Sequence, residues 1–150
     1  MDMDADIFEL DRSSIAIPLH LRSVRYDAGR HPGASAERSV AGGANCQLYA
    51  YAVLEHHGFT LPGLRSRELW LDRDHTAMVD HMQPLDLVLV HDNPDSWGAH
   101  VGLCVGGTNV LHLSRKIGVP AIETLAALQE RAEYRFLIGF KRPLRRAEIG

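Results

Sequence analysis

The stretch Asn45-Cys46-Gln47-Leu48-Tyr49-Ala50-Tyr51-Ala52-Val53-Leu54-Glu55-His56-His57-Gly58 decides how the chain is read. It carries the punctuation of one helix. Gly42-Gly43 in front interrupt regular structure, Asn45 can accept an orphan backbone N–H as N-cap, and Gly58 supplies a left-handed stop. Cys46, Tyr49, Ala50, Val53 and His57 recur at helical spacing and share one face. A thiol in the first turn sits at the positive end of the helix dipole. That position favours the thiolate, the form that attacks carbonyls. A lone cysteine is more often a small buried hydrophobe, so the helix alone does not make Cys46 a nucleophile.

Upstream of this helix the pattern is weak. Residues 1–25 read as an N-terminal extension in which Ile15-Ala16-Ile17 would be a short strand and Leu19 to Val24 another extended piece. Arg30 to Gly43, rich in Gly, Ala and Ser, reads as a loop feeding the helix. Downstream, Pro62-Gly63 marks a turn, Ser66 to Leu71 a short helix capped by Ser66, and Asp74 to Met82 a further helical turn or two.

The second half changes period. Leu85 to His91, Ala99 to Val105 and Val110 to Leu113 are short apolar runs separated by turn residues, Asp92-Asn93-Pro94-Asp95 and Gly106-Gly107-Thr108-Asn109. Thr124 to Ala132 reads as a helix and Tyr134 to Lys141 as a closing strand. Helices first and an antiparallel meander after them make an α+β fold. The basic residues Lys141, Arg142, Arg145 and Arg146, within the last ten residues, read as a solvated tail, with 144–150 lying beyond the folded core.

Composition sets the outer limits. A chain of 150 residues, 45% hydrophobic and 23% charged, suits a single domain with a real core. A net charge of −3 gives no broad basic footprint for nucleic acid. Two cysteines are too few for a disulfide framework and lack zinc spacing, and the nine histidines fit no metalloprotease pattern. Neither a metal nor another cofactor is expected. No run reaches the length of a membrane span, and the acidic N-terminus has no apolar signal core. A cytoplasmic protein is therefore expected, with export by a dedicated secretion system as the other route. The oligomeric state is left open.

The chemistry-bearing residues downstream of Cys46 are His100 and His112. In an extended strand, Val101, Leu103 and Val105 share one face, and His100, Gly102, Cys104 and Gly106 the other. A helix can approach a glycine-lined face closely, and if the Cys46 helix packs there, His100 at the strand edge can meet the thiol. Such a pair is the activated nucleophile of cysteine hydrolases. A base needs a third group to hold its ring, and His112 on the returning strand is the candidate. Whether it serves depends on the turn. A three-residue loop, Gly107–Asn109, puts His112 opposite Cys104 and on the side of His100, whereas a simple two-residue turn at Gly107-Thr108 puts the histidines on opposite faces. Cys104, ~13 Å along the strand from His100, reads as core. Trp97, just before His100, would line a cleft or its rim.

Four of these segments in order resemble the NlpC family (NlpC/P-sixty), papain-like cysteine peptidases of bacterial cell walls. Residues 45–54 look like its nucleophile helix, and Pro84-Leu85-Asp86-Leu87-Val88-Leu89 is similar to its Pro-Gly-Asp-Leu strand. His100 to Gly106 resembles its base strand and Val110 to Ser114 the strand of its third polar residue, while Phe136 to Arg142 resembles its closing strand. The resemblance spans roughly residues 42–143. It implies N-terminal helices carrying the nucleophile packed on a C-terminal antiparallel sheet, with a catalytic Cys46–His100–His112 site. Substrate contacts would come from Tyr26, standing for the family's upstream tyrosine, and from Asn45, Gln47 and Trp97. Asn45 replaces the family's usual Asp, and Gln47-Leu48 its usual Ser-Gly. The activity implied is hydrolysis of an amide bond in a peptidoglycan-type or γ-/iso-linked peptide, with a peptide or muropeptide as partner. Acyl transfer through the same thioester, and a catalytically inactive peptide-binding module, are the other readings the scaffold allows.

Overall fold

The computed structural model describes residues 12–34 and 39–145. The first half of the expected N-terminal extension, part of the loop before the helix, and the end of the basic tail including Arg146 lie outside the described residues. Helix α1 spans Cys46–His56, α2 Ser66–Leu71 and α3 Leu125–Gln129. Strands β1 Thr76–Val79, β2 Leu87–His91, β3 His100–Gly106, β4 Asn109–Leu113, β5 Pro120–Thr124 and β6 Phe136–Pro143 form one antiparallel sheet in the order β1-β6-β2-β3-β4-β5. This is the expected α+β arrangement, with α1 and α2 before the sheet and α3 between β5 and β6.

Helix α1 starts and stops where its sequence directs. The Asn45 side chain accepts from the Leu48 N–H at 2.9 Å, and Gly58 has φ +90°. Gln47, Leu48, Tyr49, Ala50, Tyr51, Val53 and Leu54 are all buried, so the helix is enclosed on more than one face. One side meets the sheet. Elsewhere around it, the Tyr49 hydroxyl donates to the Leu21 carbonyl at 2.5 Å and, from a different face, the Tyr51 hydroxyl donates to the Leu64 carbonyl at 2.9 Å. The N-terminal segment and the loop before α2 thus wrap α1 from outside.

The sheet face beneath α1 is the apolar one. Val101, Leu103, Val105, Leu111 and Leu113 share a core with Tyr49, Ala50, Val53 and Leu54. The condition that α1 packs on the glycine-bearing face is not met. The spaces left by those glycines are already filled. A Cβ on Gly102 would lie 2.6 Å from Val110 Cγ1, and one on Gly106 would lie 2.6 Å from Ser14 Oγ. The glycines admit the neighbouring strand and the N-terminal segment, whose Ser14 N–H donates to the Val105 carbonyl at 2.7 Å. The glycine-bearing face builds a second core of Val88, Val90, Cys104, Val110 and Leu128, closed by Leu125, Tyr134, Leu137 and Phe140.

Several local expectations give way to tertiary pairing. Thr76–Val79 is a strand rather than a helical turn, because it pairs along β6 from Pro143 to Phe140. Leu19–Leu21 is a 3-10 turn rather than extended, and Ile15 to Ile17 joins no sheet. Ser66 lies inside α2, where its hydroxyl accepts from the Gly98 N–H at 3.0 Å. The Arg65 N–H instead reaches the Glu68 carboxylate. Strand β5 is absent from the sequence reading. Strand β2 begins two residues later than expected, since Leu85 has φ +80° at the position where the resembled family strand carries glycine. Lys141 is not solvated. Its ammonium is buried and donates to the Trp70 and Asp72 carbonyls, while Arg142 forks onto Asp86 at 2.8 and 2.9 Å.

Candidate active site

Cys46 is the first residue of α1 and is half-buried. Its sulfur faces the backbone donors of Val101, Gln47 and Cys46 itself. Val101 directly follows His100, so the end of α1 meets the start of β3. Burial nonetheless dominates and pushes the Cys46 thiol above its ordinary value, against the pull of those donors and of Arg65.

The hairpin parity resolves in an unexpected way. Gly106 pairs Asn109, leaving the two-residue turn Gly107-Thr108 that would separate the histidines. A bulge then restores the phase. Between the pairs Cys104↔Val110 and Gly106↔Asn109, β3 advances two residues while β4 advances one, so Val105 is the extra residue. The residue opposite Cys104 is Val110, not His112. Continued along the ladder, that register sets His112 beside Gly102, whose added Cβ would lie 3.4 Å from the His112 Cβ. His100 and His112 therefore share the face away from α1, and His100 Nε2 lies 3.0 Å from His112 Nδ1.

The chain of contacts runs further. His112, almost fully buried, has Nε2 2.6 Å from Glu123 Oε2. Arg131 grips the same carboxylate with Nη1 at 2.8 Å and Nη2 at 2.7 Å. The Tyr134 ring stacks on His100 with centroids 4.4 Å apart and planes 17° from parallel. Burial, then the neighbouring His112 and Arg131, hold His100 well below the usual imidazole range. His112 is also lowered, by burial first, although Glu123 pulls the other way. Burial works to raise the Glu123 carboxyl, but Arg131 and His112 together outweigh it and keep it low. Tyr134 is pushed up to about 12 by burial and then by the nearby Cys46 sulfur, which ties that ring to both sides of the site. These directions all favour the neutral thiol and neutral imidazoles over a thiolate–imidazolium pair.

The expected substrate-contacting residues fall in different places. Tyr26 forms an isolated parallel bridge with Ala44, two residues before Cys46, and its ring lies 5.8 Å from the Arg115 guanidinium carbon. Asn45 is half-buried, with its side-chain oxygen on the helix end. Trp97 is 70% exposed in the loop leading to His100. The Gln47 side chain is a correction. It is buried and donates to the Tyr51 hydroxyl at 2.8 Å and the Leu64 carbonyl at 2.6 Å. Only its backbone N–H remains at the thiol. Cys104 is core, as expected, at 0% exposure.

Glu123, Arg131 and Tyr134 escaped the sequence reading. The signal for Glu123 was modest: after Gly118, the run Pro120-Ala121-Ile122-Glu123-Thr124 could have been taken as a strand ending at a helix cap. Among the described residues no cluster of three or more His, Cys, Asp or Glu has metal-binding geometry, and no helix is long and apolar enough to cross a membrane.

The sequence matches no protein-family profile and no curated protein. Its fold does match solved structures. An NlpC/p60 family protein from Bacillus cereus superposes with a TM-score of 0.56 at 20% identity, over 87% of this chain and 42% of that one. The NlpC/p60 domain of peptidoglycan hydrolase SagA superposes at 0.53 with 15% identity, over 94% of this chain and 97% of that domain. A protein from Staphylococcus aureus described as similar to lipoprotein, NLP/p60 family, superposes at 0.56 with 17% identity, over 95% of this chain and 42% of that one. The chain therefore spans less than half the length of two of these structures and nearly all of the third. In fold, the chain resembles the NlpC family.

Proposed function

We propose that the chain is a cysteine hydrolase that cleaves an amide bond, with Cys46 as nucleophile, His100 as general base and acid, and His112 holding the His100 ring. The observation that carries this reading is the 3.0 Å contact between His100 Nε2 and His112 Nδ1, formed next to the backbone N–H of Val101 that faces the Cys46 sulfur. His100 removes the thiol proton as sulfur attacks the carbonyl carbon. It returns that proton to the amine as the C–N bond breaks, leaving a thioester. Water then attacks the thioester with His100 again as base, releasing the acid and the free thiol. The backbone N–H groups at the start of α1, with the helix dipole behind them, hold the developing oxyanion.

The substrate class rests on likeness of fold. The SagA domain is described as belonging to a peptidoglycan hydrolase. A peptidoglycan-type or γ-linked peptide is accordingly the proposed substrate, with Tyr26, Asn45 and Trp97 on its path. The decisive experiment incubates the protein with mixed muropeptides and γ-linked peptides and repeats this with Cys46→Ala. Cleavage by the native protein and none by the folded variant is expected. A Cys46→Ala protein that cleaves at the native rate ends the reading.

A further inference from the structure

We propose that Glu123, clamped by Arg131, is a positioning residue that selects the tautomer of His112 and thereby leaves His100 with its Nδ1 lone pair available to Cys46. This rests on the hydrolase reading for its consequence, but its structural half stands by itself.

The contact between His100 and His112 is ambiguous alone. A neutral imidazole has one N–H and one lone pair, and either ring can donate to the other across 3.0 Å. If His112 Nδ1–H donates, His100 must accept at Nε2 and carry its own proton on Nδ1. That form has no lone pair to offer the thiol. If His100 Nε2–H donates, its Nδ1 is the base. Nothing in the two rings chooses between these states.

Glu123 chooses. An ionised carboxylate only accepts, so its oxygen 2.6 Å from His112 Nε2 requires the proton on that nitrogen. His112 Nδ1 is then an acceptor, His100 Nε2 a donor, and His100 Nδ1 a lone pair. Arg131 completes the device. Its bidentate grip at 2.7 and 2.8 Å keeps the carboxylate charged and cancels that charge locally. A carboxylate without this partner would draw a second proton onto His112. A doubly protonated His112 donates from both nitrogens and forces His100 into the unproductive tautomer. The titratable and charged groups around this row are His112, Glu123 and Arg131 on one side and Tyr134 and Cys46 on the other, with Glu133 and Tyr26 acting on Tyr134.

Glu123→Gln separates positioning from packing. The variant keeps the shape but halves the fork: with the amide oxygen seated at the Oε1 position on Arg131 Nη2, the amide N–H2 takes the Oε2 position, loses Arg131 Nη1 and faces His112 Nε2. His112 must then accept there and donate from Nδ1. With isotope-labelled histidine, proton–nitrogen correlation spectra read the tautomer directly, and iodoacetamide alkylation reads Cys46. The native protein and Glu123→Asp are expected to show His112 protonated on Nε2. Glu123→Gln is expected to show it protonated on Nδ1, with alkylation slowed about tenfold or more. His112 still protonated on Nε2 in Glu123→Gln, or a changed tautomer with alkylation at the native rate, overturns the proposal. Should Glu123→Gln fail to fold, Arg131→Gln replaces it. There His112 is expected doubly protonated at a pH where the native ring is neutral, and an unchanged ring overturns the proposal. A native protein that shows the expected tautomers and alkylates normally, yet cleaves no peptide, would sink the hydrolase reading and leave this one in place.

Discussion

The two faces of the β3–β4 hairpin are built on different terms. The face under α1 is uniformly apolar, with Val101, Leu103, Leu111 and Leu113 against Tyr49, Ala50 and Val53. The opposite face is divided. Cys104 and Val110 lie in a small apolar core with Leu128, while His100 and His112 form a polar row closed by Glu123, Arg131 and Tyr134. The first face positions the thiol by docking the helix that carries it. The second holds the His100 ring by its hydrogen bond to His112 and the stacked Tyr134 ring. The candidate site exists only at the end of the sheet, where the first turn of α1 reaches the backbone beside His100. A nonspecific apolar contact and a directional polar one thus supply different parts of one centre.

The comparison breaks most sharply at His112. His112→Ala removes the support of the His100 ring and should lower turnover about a hundredfold or more, with a smaller fall in thermal stability. If kcat/KM survives within twofold, the polar row is structural only. Leu103→Ala tests the other face. Leu103 is fully buried, so truncation should cost about 2–5 kcal/mol in chemical denaturation, while the variant's folded fraction keeps its Cys46 alkylation rate. A large loss of alkylation in that folded fraction would mean that helix docking and thiol chemistry are coupled more tightly than the geometry implies.

Acid should weaken the polar face. His100 and His112 have folded-state values below the ordinary 6.5, so the unfolded chain binds more protons as pH falls below that value. Glu123 is also lowered, and its contribution is lost as pH falls through its folded value. All three signs agree: Tm should be steady above neutrality and fall progressively on the acid side of 6.5. A Tm unchanged down to pH 5 would contradict the buried neutral histidines. The same directions predict that alkylation of Cys46 climbs with pH toward the alkaline range, without a thiolate plateau at low pH. The smallest effect is expected at Cys104→Ala. It should cost about 1 kcal/mol of stability and leave turnover unchanged, measured beside Cys46→Ala.

Locally encoded features were legible. Helix α1 could be bounded from Asn45 and Gly58 because capping and left-handed stops are properties of single residues. The β2, β3, β4 and β6 strands showed in apolar runs bounded by turn residues. Strand β5 did not, since five residues opened by a proline carry little periodicity and their pairing with β4 is a long-range event. Thr76–Val79 was misread for the same reason, its strand character being imposed by β6. Lys141 looked solvated because its charge is visible in sequence and its two carbonyl partners, about seventy residues away, are not.

By itself the sequence determined that a helix begins at Cys46 and that two histidines lie on neighbouring strands. Those are consequences of short-range sterics and periodicity. Whether the histidines meet was decided by one bulged residue, Val105, which reverses the outcome a two-residue turn would give. Which sheet face receives α1 was decided by what already fills the glycine gaps, Val110 and Ser14. That His112 ends on a carboxylate was decided by β5 closing the sheet. Each depends on register and contact between distant segments, which only the assembled fold specifies.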